Sequence, residues 1–353
     1  MIFLSFALFS DTTLDEVSVL RLDQFLFRLV ALASISMSLA LPAFAIADPA
    51  AGTQRKKART HVTQKATGKQ ARIKVKAKAV PARPSLGQTI GLHNAEDALS
   101  LKSGVALVID QDTNEILFSK NSSAILPIAS ITKLMTAVVV SEANLPMNEM
   151  LSVGAIDQLE TGKSSRSRLQ LGMQLSRGEL MHLALMASEN RAAYTLGSNY
   201  PGGMAAFVAA MNAKAAALGM RDTRYVEPTG LSSQNRSSAQ DLSLLVRAAA
   251  EFPQIKELST SQQANFAVGK RNVQFRNTNG LVRNPEWDIG LQKTGYISEA
   301  GRCVVMQASM AGRKLIMVLL DSAGRYSRIG DAERLRNWLI QSRWDAVQVP
   351  AKS

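Results

Sequence analysis

The pattern of apolar and polar positions gives this chain strand-like ends and a helical middle. The stretch GVALVIDQDTNEILFSKNS contains two short strand-like runs around Asp112-Thr113-Asn114, which predicts two strands joined by a turn. Three later runs, IGLQKTGYI, RCVVMQASM and KLIMVLLDS, are also strand-like, and the last is too continuously apolar to be half exposed. Strands near both ends of the folded region predict one sheet built from both parts of the chain.

Helical spacing fills the region between these strands. A first helix is predicted from Ser130, and SRGELMHLALMASENRAAYTLGSNY has helical spacing with Ser176 as its N-cap. GGMAAFVAAMNAKAAALGM predicts another helix, and SAQDLSLLVRAAAEF one capped by Ser238. DAERLRNWLIQSRW closes the folded region as a helix, so the prediction is a sheet with a helical insert.

The N-terminal part is predicted to be an export signal. The segment RLDQFLFRLVALASISMSLALPAFA has arginines, an apolar run and a small-residue end, so we expect cleavage after Ala45 and a signal peptide over 1–45. A membrane anchor is the alternative, but the apolar run is short and contains serines and a proline. Residues 1–20 carry acids before the apolar run, so the true start is expected near Val17 or Val19.

The net charge of +13 is concentrated in one segment. Between Asp48 and Glu96 there is no acidic residue, but there are eleven Lys and Arg residues. Residues 46–88 also have few large apolar side chains, which predicts a basic, disordered linker before a folded domain over 89–348. Export argues against nucleic acid as its partner, and leaves either contacts with anionic envelope polymers or an inert spacer.

Cysteine and histidine chemistry is poorly supported. The single cysteine, Cys303, lies in a strand-like run, which excludes an intramolecular disulfide and favours a packing role. The chain has three histidines and neither an H-E-x-x-H motif nor a Cys/His cluster. We therefore expect no metal and no cofactor.

Ser130 and Lys133 form the one S-x-x-K motif in the chain. Three positions apart on a helix, they share a face, and a lysine among apolar residues can lose its proton and act as base for a serine nucleophile. A capping serine followed by a lysine that extends to solvent would give the same spacing.

Two further motifs contain residue types suited to catalysis. Ser188-Glu189-Asn190 follows an apolar helical run and offers a hydroxyl and an amide, although a helix cap would look the same and S-x-N occurs twice more. Lys293-Thr294-Gly295 is the one K-T-G in the chain; the lysine and threonine could bind a carboxylate, and the glycine lets a substrate approach the strand. An edge-strand lysine directed to solvent is the alternative.

The order S-x-x-K, S-x-N, K-T-G resembles the penicillin-binding protein and serine β-lactamase superfamily. PIASITKLMTA, LALMASENRAA, RYVEPTGLSSQNRSSAQDL and LQKTGY are similar to the low-molecular-mass serine DD-peptidases, in particular D-alanyl-D-alanine endopeptidases, over roughly 89–344. The resemblance implies a β-lactamase/transpeptidase-like α/β (α+β) fold. Its antiparallel sheet of about five strands comes from both chain ends and is flanked by helices, with an all-helical insert.

The resemblance also implies a mechanism on peptidoglycan stem peptides. Ser130 would be the nucleophile and Lys133 its base, with Ser188 and Asn190 as the further catalytic residues. The residues that would bind substrate are Lys293, Thr294, Gly295 and Tyr296. The backbone N–H groups of Ser130 and Tyr296 would form the oxyanion hole. β-Lactam antibiotics would acylate Ser130, and the location would be the Gram-negative periplasm, soluble or loosely attached to the membrane.

The sequence leaves three functions open. A D-alanyl-D-alanine carboxypeptidase would use the same residues as an endopeptidase, and a β-lactam sensor or wall-binding protein could keep the fold without turnover. No E-x-x-L-N motif, which class A β-lactamases use for deacylation, lies between Ser188 and Lys293, so we expect slow release of penicillin.

Overall fold

The computed structural model describes residues 83–156, 167–269 and 271–348. The predicted signal peptide and nearly all of the predicted linker lie outside these residues. The described helices are α1 (Leu86–Thr89), α2 (Thr132–Glu142), α3 (Arg177–Met186), α4 (Asn190–Ser198), α5 (Gly203–Ala217), α6 (Ala239–Ala250), α7 (Pro253–Thr260) and α8 (Ser327–Gln348). Short 3-10 helices cover Leu92–Asn94, Ala129–Ile131 and Gly280–Arg283.

The described strands are also numbered in chain order. They are β1 (Ser103–Asp110), β2 (Ile116–Lys120), β3 (Leu126–Pro127), β4 (Met150–Ser152), β5 (Gln174–Ser176), β6 (Arg236–Ser237), β7 (Gln263–Val268), β8 (Arg271–Arg276), β9 (Asp288–Ile297), β10 (Gly301–Met310) and β11 (Arg313–Ser322).

Five of these strands form one antiparallel sheet in the order β2-β1-β11-β10-β9. The first residue of β1, Ser103, pairs with the last residue of β11, Ser322, so the two parts of the chain meet in the centre of the sheet. The predicted five-stranded sheet from both chain ends is confirmed. β9 is an edge strand of this sheet.

Each face of the sheet is buried by helices. One face, which includes Leu107, Val305 and Val318, packs in a cluster with apolar residues of α2, α3 and α6. The opposite face, which includes Val108 and Met306, packs against α8. β1 is therefore a nearly continuous buried run, because both faces of the strand are covered.

The insert between the two halves of the sheet is mostly helical, but it is not all-helical as predicted. Three small antiparallel pairs lie in or beside it: β3–β6, β4–β5 and the hairpin β7–β8. The hairpin was not predicted because its sequence, QANFAV and RNVQFR, is rich in polar residues and buries few of its side chains.

The run that begins at Ser176 forms two helices rather than one. Ser176 caps α3 with a complete capping box, as predicted. The chain then leaves the helix after Met186, passes through Ser188 with a φ of 59°, and starts α4 at Asn190. A left-handed backbone conformation is energetically unfavourable for residues other than glycine. Contacts with α3, α4 and their surroundings must therefore hold Ser188 in this conformation.

The folded part begins slightly before Thr89. Ser85 caps α1 with a second capping box, and the backbone N–H of Leu86 donates to the carbonyl of Glu299. Among the described residues, no helix has the length and apolar character needed to cross a membrane.

Candidate active site

Ser130 and Lys133 lie where the chain enters α2. Ser130 belongs to the 3-10 turn before α2 and Lys133 to the first turn of α2 itself. The Lys133 Nζ donates to Ser130 Oγ over 3.0 Å, so the predicted common face is present although the local helix type differs. This contact brings a nucleophilic oxygen and a potential base within proton-transfer distance.

Lys133 is fully buried, and its ammonium group has three hydrogen-bond acceptors. Besides Ser130, it donates to Asn190 Oδ1 at 2.6 Å and to the carbonyl of Thr229 at 2.5 Å. Burial lowers the pKa of Lys133 from 10.5 to about 7, although the charges of Glu227 and Glu189 act in the opposite direction. A substantial fraction of neutral amine is therefore present near neutral pH.

Ser188 and Lys293 form a second serine–lysine pair. Lys293, in β9, is fully buried and donates to Ser188 Oγ at 2.9 Å and to the carbonyl of Thr294 at 2.8 Å. Burial and the nearby charges of Lys133 and Arg328 hold the pKa of Lys293 well below its usual value. The left-handed backbone at Ser188 places its hydroxyl between two helices, toward the sheet edge.

Two glycines let the backbone segments of the site approach each other. A Cβ on Gly295 would lie 3.1 Å from the Ser130 backbone nitrogen, and one on Gly230 would lie 1.9 Å from the Ala129 carbonyl oxygen. Gly230 also has a φ of 80°, a conformation that disfavours side chains. β9 therefore passes close beside the turn that carries Ser130.

The remaining predicted residues line the same strand. Thr294 is buried, and its Oγ1 lies 2.6 Å from the Oγ1 of Thr278, which belongs to the FRNTN segment. Tyr296 directs an exposed ring away from the core, and the Arg302 guanidinium lies 4.6 Å from its centroid. The structure thus brings together all eight residues predicted from the three motifs.

The other two S-x-N sequences are separate from this pair of lysines. Lys120, in the first of them, forms an ion pair with Asp97 at 2.8 Å. Asn235, in the second, donates to Thr132 Oγ1 and to Glu227. Only the S-x-N that contains Ser188 contacts Lys133 and Lys293 among the described residues.

Glu227 is a residue of the site that the motifs did not indicate. Its buried carboxylate accepts hydrogen bonds from the backbone N–H groups of Thr229, Gly230 and Ser232 and from the Asn235 amide. This network fixes the loop whose Thr229 carbonyl accepts from Lys133. The available signal was an acid within the apolar run YVEPTG, directly before a turn.

Arg328 supports β9 from the opposite side. Its Nη1 donates to the carbonyls of Gly295 at 3.1 Å and Cys303 at 3.4 Å. Burial lowers the pKa of Arg328, and the same burial raises the pKa of the Cys303 thiol to about 12, which makes that thiol a poor nucleophile. In the part of the chain that the structure describes, no group of His, Cys, Asp or Glu side chains is arranged to hold a metal ion.

Sequence comparison identifies relatives that share most of this chain. A D-alanyl-D-alanine endopeptidase of Pseudomonas aeruginosa is 48% identical over 255 residues, which are 72% of this chain and 82% of the relative. A D-alanyl-D-alanine endopeptidase of Escherichia coli is 43% identical over 275 residues, which are 77% of this chain and 88% of the relative.

Solved structures share the fold. Penicillin-binding protein D2 of Listeria monocytogenes in its cefotaxime-bound form is 28% identical, with a TM-score of 0.60, and the match covers 69% of this chain and 98% of that one. A point mutant of the Streptomyces K15 DD-transpeptidase is 25% identical, with a TM-score of 0.62, and the match covers 67% of this chain and 97% of that one.

The family profile of peptidase S11, described as D-alanyl-D-alanine carboxypeptidase, matches residues 92–324, a range that includes all three motifs. This match covers more than half of the chain, and the endopeptidase relatives extend over the same region. The chain therefore belongs to the peptidase S11 family of serine D-alanyl-D-alanine peptidases.

Proposed function

We propose that this protein is a serine-type D-alanyl-D-alanine endopeptidase that hydrolyses D,D-cross-links of peptidoglycan through an acyl-enzyme on Ser130. The observation that carries the proposal is the 3.0 Å hydrogen bond between Ser130 Oγ and the fully buried Nζ of Lys133. Two relatives at 48% and 43% identity are named D-alanyl-D-alanine endopeptidases, which supports this activity over a carboxypeptidase.

Acylation begins at Ser130. Neutral Lys133 takes the proton from Ser130 Oγ while this oxygen attacks the carbonyl carbon of the D-alanine residue. Burial supplies the neutral amine, because it lowers the pKa of Lys133 to about 7. Asn190 and the Thr229 carbonyl hold the Nζ in position for this transfer, since both accept hydrogen bonds from it.

The developing oxyanion is stabilised by backbone N–H groups of Ser130 and Tyr296. The close approach of Gly295 to the Ser130 nitrogen brings these two segments together. A side chain at position 295 would separate β9 from the turn and weaken this stabilisation.

The leaving amine receives, through Ser188, the proton that Lys133 took from Ser130. Lys293 donates a hydrogen bond to Ser188 Oγ and so orients this hydroxyl. The C–N bond breaks, the amine of the second stem peptide departs, and the D-alanyl group remains as an ester on Ser130. Water then attacks the ester, and Lys133 accepts the proton of this water and passes it to Ser130 Oγ as the ester bond breaks, which releases the D-alanine carboxylate and restores Ser130.

A digest of purified cross-linked muropeptide dimers tests the function. We expect wild-type protein to convert dimers to monomers, and Ser130→Ala to leave them intact. Release of free D-alanine without loss of dimers would assign a carboxypeptidase instead. Labelling by fluorescent penicillin without either product would assign a β-lactam sensor.

The same proposal includes the organisation of the chain. Residues 1–45 would be a signal peptide, 46–88 a basic linker that contacts anionic envelope polymers, and 89–348 the catalytic domain in the periplasm. Fusing residues 1–60 to a reporter enzyme that is active only outside the cytoplasm tests export. An inactive reporter would contradict the periplasmic location.

A further inference from the structure

A ring of contacts connects the S-x-N motif, β9 and the β7–β8 hairpin on one side of the proposed active site. Lys293 of β9 donates to Ser188 Oγ at 2.9 Å. The neighbour of Lys293, Thr294, has its Oγ1 2.6 Å from that of Thr278, which lies two residues after the end of β8. The hairpin therefore begins beside the residues that handle the leaving amine.

The segment that contains Ser167 and Arg168 closes this ring. Ser167 Oγ and the backbone N–H of Arg168 donate to the Glu189 carboxylate at 2.7 Å and 3.2 Å, and Glu189 is the neighbour of Ser188. At its other end, Arg168 Nη1 donates to the backbone carbonyl of Gln274 in β8 at 2.8 Å. The Arg168 side chain thus extends from the S-x-N motif to the hairpin, although it has no role in the proposed reaction.

The Arg168 guanidinium is held in position but keeps its charge available. Its central carbon lies 3.6 Å from the ring centroid of Phe275, which is fully buried, whereas Arg168 itself is exposed. Within the described ranges, Arg168 forms no ion pair. Stacking on a ring restricts the side chain before a ligand arrives and leaves N–H groups at the guanidinium edge free to donate to an anion.

The proposed reaction directs the leaving peptide toward this ring. Ser188 protonates the leaving amine, and Lys293 and Thr294 can bind the carboxylate on the carbon beside that amine. A single terminal D-alanine ends at this carboxylate, whereas a second stem peptide continues beyond it by about 3.3 Å for each extended residue. Because Arg168 is bonded to the neighbour of Ser188, the next residue or two of that peptide lie within its reach.

We propose that Arg168 binds a carboxylate of the leaving stem peptide, on a residue beyond the one that carries the scissile amine. This inference rests on the proposed function and deepens it: Arg168 favours cross-linked dimers, whose leaving peptide reaches it, over peptides that lose one D-alanine. In a leaving peptide with D-glutamate and a terminal D-alanine, the two candidates are the α-carboxylate of D-glutamate and the terminal carboxylate.

The test compares wild-type protein on three muropeptide dimers that differ only in the leaving strand. One has both carboxylates free, one is amidated on D-glutamate, and one is amidated on the terminal D-alanine. We expect kcat/KM to fall about tenfold for the dimer that lacks the bound carboxylate, mainly through KM. The dimer affected identifies which carboxylate Arg168 binds.

Substitution of Arg168 should remove this preference. Arg168→Ala should lower kcat/KM on the free dimer about tenfold, and amidation should cause no further loss in this variant. Arg168→Gln keeps a donor for the Gln274 carbonyl without the charge and should behave in the same way, whereas Arg168→Lys keeps part of the preference. Arg221→Ala, which removes an exposed arginine in the turn after α5, is the matched control and should retain the full preference.

Three outcomes would overturn the inference and leave the endopeptidase function intact. They are equal wild-type rates on all three dimers, an amidation effect that persists in Arg168→Ala, and a loss of penicillin acylation as large as the loss of dimer cleavage. The last would assign Arg168 a structural role, because a penicillin has no leaving peptide. Failure of wild-type protein to cut any dimer would overturn the proposed function itself and this inference with it.

Discussion

Lys133 and Lys293, both fully buried, lie close enough for the charge of Lys133 to lower the pKa of Lys293. Two ammonium groups in one dry site repel each other, and burial penalises both. The pair therefore holds fewer than two protons at neutral pH, and the charge of Lys133 favours the neutral form of Lys293.

The rate of acylation should depend on pH through this amine. Acylation by a penicillin should be slow below pH 6 and should rise with a midpoint at about 7, where Lys133 loses its proton. Stopped-flow measurement of the acylation rate from pH 5 to 9 checks this. A rate that stays flat to pH 9 would show that Lys133 is not the base.

The free energy of unfolding should also depend on the protonation of Lys133. The unfolded chain keeps a proton on Lys133 up to its ordinary pKa of 10.5, whereas the folded protein releases it above about 7. The unfolded state thus binds more protons between these values, so the free energy of unfolding should rise with pH across this window. Urea denaturation of wild type and Lys133→Met at several pH values should show a smaller rise in the variant, in which only Lys293, whose pKa is also lowered, still contributes.

Lys133→Ala should reduce penicillin acylation at least about 100-fold without unfolding the protein. The variant lacks the general base, so acylation falls. It also lacks a buried amine whose charged form destabilises the folded state, so the fold should be retained. Penicillin labelling and thermal melting should be measured on the same samples.

Lys120→Ala is the matched control for this substitution. Lys120 is a buried lysine on β2, at the other edge of the sheet, and it pairs with Asp97. Its loss should lower the melting temperature and leave acylation near wild type. A fall in both signals for Lys133→Ala would assign Lys133 a structural role instead.

Glu227→Gln should alter both stability and the pH profile. The amide would face the backbone N–H groups that now donate to a carboxylate, which should cost about 2–4 kcal/mol. Loss of the negative charge should also shift the midpoint of acylation below 7, because Glu227 raises the pKa of Lys133.

The control for Glu227 is Glu149→Gln, which disrupts the ion pair with buried Arg177 in another part of the structure. This variant should lose stability while keeping the midpoint of wild type. An unchanged midpoint in Glu227→Gln would contradict the effect of its charge on the pKa of Lys133.

Gly230→Ala should destabilise the protein by about 3 kcal/mol or more and abolish acylation. The new methyl group would collide with the Ala129 carbonyl in the turn that carries Ser130, in addition to the strain of a positive φ. Gly219→Ala has a nearly equal φ of 79° and open space around the methyl group. This control should cost about 1 kcal/mol and retain acylation.

The sequence indicated the reactive residues more accurately than the residues that hold them in position. Ser130, Lys133 and Lys293 stand out because a serine–lysine spacing or a lysine in an apolar strand needs an explanation in its own segment. Glu227 does not, because its partners are backbone N–H groups of its own turn, and any acid before a turn looks the same in sequence.

The local backbone geometry at the site could not be predicted from the sequence either. The left-handed backbone at Ser188 divides a run that has continuous helical spacing, and one of its contacts, the hydrogen bond from Lys293, comes from a strand about 100 residues later. The β7–β8 hairpin was missed for a related reason: most of its side chains are polar, so its pairing comes from backbone hydrogen bonds that leave no periodic signal.

The position of β11 imposes an order on folding. This strand lies in the middle of the sheet, between β1 and β10, yet it ends at Ser322. A ribosome makes β1 and β2 about 200 residues earlier, and contacts between such distant segments form slowly because a long loop must close first. The nascent chain can pair β1 with β2, but the other edge of β1 stays unpaired until β11 emerges, and any premature stop before that point leaves a fragment with an open apolar strand edge that is prone to aggregation.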